Sequence, residues 1–284
     1  MNLYKIDTGF FKLDGGAMFG VVPKVLWNKL NPADENNLCT WAMRCLLVED
    51  GDRLTLIDTG MGNKQSEKFF GYYYLQDTLT LDQSLAKHGF HRDDITDVFL
   101  THLHFDHVGG AIEYKDNKLQ PVFKNAKYWS NKDHWNWAIN PNPREKASFL
   151  KENILPIEEN GQLNFISQDQ NQFLSPTDIP NLEVFFAFGH TEAQMIPVVN
   201  YNGQKIVFGA DLIPSAYHIP KAYVMGYDMR PLDTIADKEK LLPEIINNNW
   251  LVYLEHDPIN ELLSLENGNK GPQVDKLYRL SEIL

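Results

Sequence analysis

The segment THLHFDHVGG, residues 101–110, places His102, His104, Asp106 and His107 directly after the apolar run ITDVFL. Alternate side chains of an extended stretch point to one side, so His102 and His104 share a face, and a turn into a helix can carry Asp106 and His107 toward the same centre. A lone histidine is usually a surface or hydrogen-bonded residue, but four potential ligands in six residues form a metal-binding pattern. Gly109 and Gly110 let the backbone pass close beside this loop. The fold must therefore hold a strand end rigidly against the start of a helix.

Three further candidates follow strand-like runs: His190 after VFFAFG, Asp211 after KIVFGA and His256 after LVYLE. Side chains fixed at strand ends can close a metal site from several strands. The ligand arithmetic gives two positions, His102, His104 and His190 around one metal and Asp106, His107 and His256 around the other, with Asp211 bridging. Two divalent metal ions are the expected cofactors. Imidazole and carboxylate suit zinc, the leading choice, and also manganese, iron or cobalt.

The 284 residues are 43% hydrophobic, enough for a substantial core, and their formal net charge of −12 argues against a broad nucleic-acid surface. Cys39 and Cys45 are the only cysteines and do not make a disulfide scaffold. No run approaches the roughly 18 apolar residues of a membrane span. The opening MNLYKIDTGFF lacks the basic and apolar regions of an export signal, so a cytoplasmic protein is expected.

Strand character is expected at 4–14 up to Gly15 and Gly16, at 40–49 and 53–60 as a hairpin turning at Asp50 and Gly51, and at 95–102. It resumes at 182–188, 195–200, 205–211 and 251–257. A helix ends at Gly89, and another covers 232–250 despite Pro243, with Leu232, Ile235, Leu241 and Ile245 as its buried face. The segment around 130–175 reads as a mostly helical elaboration broken near Pro141, Pro143 and Pro156. Mixed strands and helices in both halves imply one α/β domain over residues 1–284.

The chain resembles the metallo-beta-lactamase superfamily. Its HxHxDH motif is His102, His104, Asp106 and His107, and the later family positions match His190 in FGHTE, Asp211 in FGAD and His256 in LEHDP. Asp58 in LIDTG matches the earlier aspartate motif, which implies support of the site from behind the ligands. The resemblance implies a four-layer αββα sandwich and a hydrolase whose metal-bridging hydroxide attacks the electrophile, with Asp106 orienting it or shuttling a proton.

Within that superfamily the layout is similar to N-acyl-homoserine lactonases and to methyl-parathion-type organophosphate hydrolases. Lactonases place a catalytic tyrosine three residues beyond the bridging aspartate, where this chain has Pro214; Tyr217 or His218 is the substitute donor. Phe19, Trp27, Phe105, Trp129, Trp135 and Tyr217 are candidates for an aromatic pocket. A lactone or carboxylic ester is the expected small-molecule substrate, and an organophosphate triester is the alternative. A thioesterase or a non-hydrolytic metal-binding module ranks below both. A homodimer is expected by analogy alone.

Overall fold

A two-residue turn at Gly51 and Asp52, with Gly51 at φ +61°, pairs Asp50 with Arg53 and closes the expected hairpin. Its strands are β2 (Leu38–Asp50) and β3 (Arg53–Ile57). A computed structural model describes residues 1–76 and 79–284 and divides them into two units, Met1–Gly9 with Met43–Gln168 and Phe10–Ala42 with Asp169–Leu284. Among the described residues no helix is long and apolar enough to cross a membrane.

The first unit is built on a six-stranded sheet in which β1 (Asn2–Asp14), β2 and β3 are followed by β4 (Asp97–Phe99), β7 (Lys127–Ser130) and β8 (Leu163–Phe165). From β3 to β8 neighbouring strands run parallel. A separate hairpin pairs β5 (Ile112–Lys115) with β6 (Lys118–Pro121). The unit's helices are α3 (Glu67–Gly71), α4 (Leu81–Ala86), α5 (Phe105–Val108), α6 (Lys132–Ile139) and α7 (Lys151–Glu159). Leu47, Leu56, Val98 and Tyr128 from the sheet pack with Leu85 of α4, Trp135 and Ala138 of α6 and Ile154 and Ile157 of α7. The expected helical elaboration thus supplies core side chains as well as the edge strand β8.

The second unit begins with α1 (Gly15–Phe19) and α2 (Lys24–Trp27) and continues into a seven-stranded sheet. Its strands, from one edge to the other, are β15 (Gly271–Tyr278), β14 (Leu262–Gly268), β13 (Leu251–Tyr253), β12 (Gln204–Phe208), β11 (Gln194–Tyr201), β10 (Leu182–Ala187) and β9 (Ser175–Pro176). Only β12 and β13 pair in parallel. The long helix α8 (Pro231–Asn247) packs on β10, β14 and β15.

This topology sets where the chemistry falls. Because β10 and β12 are both antiparallel to β11, and β12 is parallel to β13, the strands β10, β12 and β13 all end at one edge of the sheet. His190, Asp211 and His256 each stand three residues beyond one of those ends. His102 stands three residues beyond β4 in the first unit.

Several expectations need correction. Leu232 is 79% exposed, and the buried face of α8 begins instead with Thr234, Asp237 and Lys238 before reaching Leu241, Leu242 and Ile245. Pro156 lies inside α7 rather than breaking a helix, whereas Pro243 lies inside α8 as expected. Pro243 is on the exposed side, where the lost N–H leaves the packed face in place. Gly15 and Gly16 open α1, and the hairpin β14–β15 was not foreseen because its outer strand is largely exposed.

At the start of β4 the fully buried Asp97 carboxylate accepts Arg53 Nε at 3.0 Å and Nη2 at 2.7 Å, Trp129 Nε1 at 2.8 Å and Thr96 Oγ1 at 2.7 Å. These bonds tie Arg53 and Asp97, at the starts of β3 and β4, to Trp129 near the end of β7. Removing the carboxylate strands the guanidinium and indole, so Asp97→Ala is expected to lower unfolding free energy by about 3 kcal/mol in urea titrations. A loss below about 1 kcal/mol would contradict this role.

Candidate metal centre

Asp58 leaves β3 with a left-handed backbone, φ +57°, and is fully buried. Its Oδ1 accepts Thr101 N at 2.8 Å, and its Oδ2 accepts Thr101 Oγ1 at 2.6 Å and His107 Nδ1 at 3.0 Å. Thr59 adds a second tie, its N and Oγ1 both donating to His107 O at 2.8 Å. The loop carrying the histidine cluster is therefore fixed from β3 before any ligand binds.

These bonds also determine which ring nitrogens are bare. The Thr101 hydroxyl proton goes to Asp58, so His102 Nδ1, 3.1 Å from that hydroxyl, must donate, and His102 Nε2 keeps its lone pair. Glu145 accepts Trp137 Nε1 and Asn142 Nδ2, each at 2.6 Å, and turns its other oxygen toward His104 Nε2 at 3.5 Å. With the proton on that Nε2, His104 would turn an unprotonated Nδ1 to His102 Nε2, 3.1 Å away. Two lone pairs converge where a cation would satisfy both.

The same logic holds at His107. Its Nδ1 donates to Asp58, which leaves Nε2 bare at 3.8 Å from Asp106 Oδ2. His104 caps α5, the one-turn helix that brings Asp106 and His107 round. Leu103 N donates to His134 Nε2 at 2.8 Å, which pins the backbone between the first two ligands.

In the second unit Asp211 follows Ala210, a non-glycine residue at φ +41°. Its two oxygens face two imidazoles, Oδ2 at 3.2 Å from His190 Nε2 and Oδ1 at 3.0 Å from His256 Nε2. His190 Nδ1 donates to Asp228 Oδ1 at 2.9 Å, and His256 Nδ1 donates to Ala42 O at 2.8 Å. With each Nδ1 committed, the neutral form of each ring would present an unprotonated Nε2 to a carboxylate oxygen, an arrangement that suits a carboxylate between two cations. His256 is braced further by Ala42 N donating to its carbonyl at 3.0 Å and by its own N–H donating to Pro214 O at 3.1 Å.

All seven predicted ligands are among the His and Asp side chains suited to holding an ion. Within the first unit His102 and His104 approach at 3.1 Å and Asp106 and His107 at 3.8 Å, and within the second Asp211 lies 3.2 Å from His190 and 3.0 Å from His256. The donor chemistry fits divalent metals. Thr101, His134, Glu145 and Asp228, which orient these ligands, escaped the sequence reading. Their spacing from the ligands follows no pattern, and His134 and Glu145 lie in the stretch read as elaboration.

The proposed proton donors differ in surroundings. Tyr217 is half-buried, and desolvation, with Asp257 adding to it, pushes its hydroxyl up to about 12. His218 is buried and stacks on Phe19 with centroids 4.9 Å apart. Its Nε2 donates to Met18 O at 2.9 Å and its Nδ1 accepts Ser215 Oγ at 2.8 Å, so both nitrogens are engaged. Burial, reinforced by the Lys238 cation, drops its pKa to about 3. Among the pocket candidates Phe19 and Trp27 stack on each other, Trp135 lies in the core and Trp129 serves Asp97. Phe105 instead packs against Phe69 and Tyr73, at 5.3 and 4.7 Å between centroids.

The chain belongs to the metallo-beta-lactamase superfamily, which it matches over residues 44–256, and it is a metal-dependent hydrolase of α/β class with mixed sheets flanked by helices. No curated protein sequence matches it. Among solved structures it is similar to a "probable metal-dependent hydrolase" from Staphylococcus aureus, at 28% identity and TM-score 0.86, covering 97% of this chain and 95% of that one. It is similar in fold to AidC, a dizinc quorum-quenching lactonase bound to a product, at 23% identity and TM-score 0.76 over 96% and 92% of the two chains. The hydrolase AbOPH of the beta-lactamase superfamily shares the fold at 20% identity and TM-score 0.77, over 98% and 94%.

His218 yields a pH prediction. Between its folded pKa of about 3 and the ordinary value of 6.5, the unfolded chain binds a proton that the folded chain excludes, so stability falls as pH drops through that window. His218→Gln should flatten the dependence by up to about 1.4 kcal/mol per pH unit near pH 5, measured by urea unfolding in chelating buffer. Parallel wild-type and variant curves would refute the assignment.

Proposed function

We propose that the chain opens lactones, N-acyl-homoserine lactones among them, or cleaves related esters at a dinuclear centre. The observation that carries this reading is the Asp211 carboxylate, with each oxygen facing an imidazole Nε2 whose other ring nitrogen is already committed. The proposed ligand sets are His102, His104 and His190 for one ion and Asp106, His107 and His256 for the other, with Asp211 shared. Zinc is the proposed metal on donor chemistry, and a cytoplasmic homodimer is the proposed setting. Ions so bound polarise a substrate carbonyl and make water nucleophilic at neutral pH.

The chain's own residues then divide the work. Asp106, whose carboxylate is 13% exposed beside His107, orients the attacking water and takes its proton. Tyr217 stays protonated across the physiological range and donates a hydrogen bond to the leaving oxygen. The rings of Phe69, Tyr73 and Phe105, adjoining Asp106 in the sequence at Phe105, offer an apolar wall to an acyl chain. The lactonase relative of similar fold supports the substrate class. One feature favours the phosphotriester alternative: the position where lactonases carry tyrosine is Pro214, whose carbonyl is spent on His256 N.

Metal analysis joined to a substrate panel tests both readings. The expected result is about two equivalents of zinc per chain and fastest turnover on acyl-homoserine lactones, ahead of aryl esters, thioesters and paraoxon-like triesters. Phosphotriester turnover without lactone opening would replace the reading by its alternative. Asp211→Ala should lose bound metal and at least about 10²-fold in kcat/KM. Tyr217→Phe should lower kcat by about 10²-fold with little change in KM.

A further inference from the structure

Four of the five ligand histidines are hydrogen-bonded through the ring nitrogen they do not offer to metal, but the anchors differ in charge. His102 leans on a hydroxyl and His256 on a backbone carbonyl, whereas His107 donates to the Asp58 carboxylate and His190 to that of Asp228. Asp58 belongs to a recognisable motif. Asp228 belongs to none, yet it is 1% exposed and has a dedicated support.

That support is the first two turns of α8. Thr234 Oγ1 donates to Asp228 Oδ2 at 2.8 Å, leaving Oδ1 for His190. One turn on, Asp237 Oδ2 accepts Phe188 N at 2.6 Å and Gly189 N at 3.1 Å, while Lys238 Nζ donates to the carbonyls of His218 and Tyr223 at 2.8 Å. Gly189 packs so tightly on Thr234 that a Cβ there would fall 2.1 Å from its Oγ1. The backbone around Asp228 closes the frame, since Met229 N donates to His190 O at 3.1 Å and Arg230 N to Gly189 O at 2.9 Å. Three polar residues are buried on one helix face, at positions i, i+3 and i+4, where an apolar stripe would ordinarily lie. Burying them without partners would be costly, and their hydrogen bonds go to the His190 loop and the loop carrying Tyr223.

We propose that Asp228, held by Thr234, is a positioning residue that fixes the His190 tautomer and raises the donor strength of its Nε2, so that it sets the affinity of one metal position. The inference rests on the dinuclear reading above. It is the second-unit counterpart of the pairing between Asp58 and His107.

The test uses the full chain, with thermal unfolding as the folding control, and titrates cobalt(II) and zinc against a chromophoric chelator. Asp228→Asn should weaken one equivalent by about 10- to 100-fold, leave the other unchanged and alter the cobalt d–d spectrum. Thr234→Val, which keeps the carboxylate but releases its latch, should weaken the same equivalent by a smaller factor. It also carries the test if the Asp228 variant fails to fold. Asp228→Glu should recover part of the lost affinity. Two equivalents bound with wild-type affinity and spectrum in Asp228→Asn, or in Thr234→Val should the former not fold, would overturn the proposal. A wild-type chain that binds fewer than two equivalents would instead overturn the dinuclear reading beneath it.

Discussion

A carboxylate oxygen and the unprotonated nitrogen of a neutral imidazole are both acceptors, and only a proton or a cation between them holds them at 3.0–3.2 Å. That is how Asp211 meets His190 and His256. The lone pairs of His102 and His104 converge in the same way in the other unit. A cation between the atoms of each pair would satisfy them. For His102, His107, His190 and His256 the fold commits the opposite ring nitrogen to a fixed partner, so the remaining nitrogen is the one presented.

Holding such acceptors together demands rigid backbone, and the sheets provide it. The offset of three residues between strand end and ligand recurs at β4, β10, β12 and β13. Parallel pairing of β12 with β13 is what brings Asp211 and His256 to one edge. Tight turns complete the placement: Asp58 and Ala210 adopt left-handed backbone beside the ligands, a conformation that a non-glycine residue keeps only when its surroundings overdetermine it. The ion network around Asp97 secures the starts of β3 and β4 and reaches Trp129 of β7, so the strand leading to the ligand loop is pinned at its far end.

The seven candidate ligands were legible as a pattern because each is a histidine or aspartate just beyond a strand, local enough to see in one dimension. The fold class was legible for the same reason, through apolar runs of period two and the turn at Gly51. Leu232 shows where this stopped. Apolar periodicity put it in the core of α8, but the helix is rotated so that Thr234, Asp237 and Lys238 are buried instead. Their partners are backbone and side-chain groups up to 49 residues away, which no local pattern encodes.

Residue identity at strand ends was enough to suggest a nitrogen and oxygen donor set and to reveal the superfamily. Tertiary contacts alone placed Glu145 near His104 and Asp228 behind His190, and engaged both ring nitrogens of His218. Hydrogen-bond direction depends on which distant donor or acceptor folding brings within about 3 Å, and spacing along the chain carries no record of that.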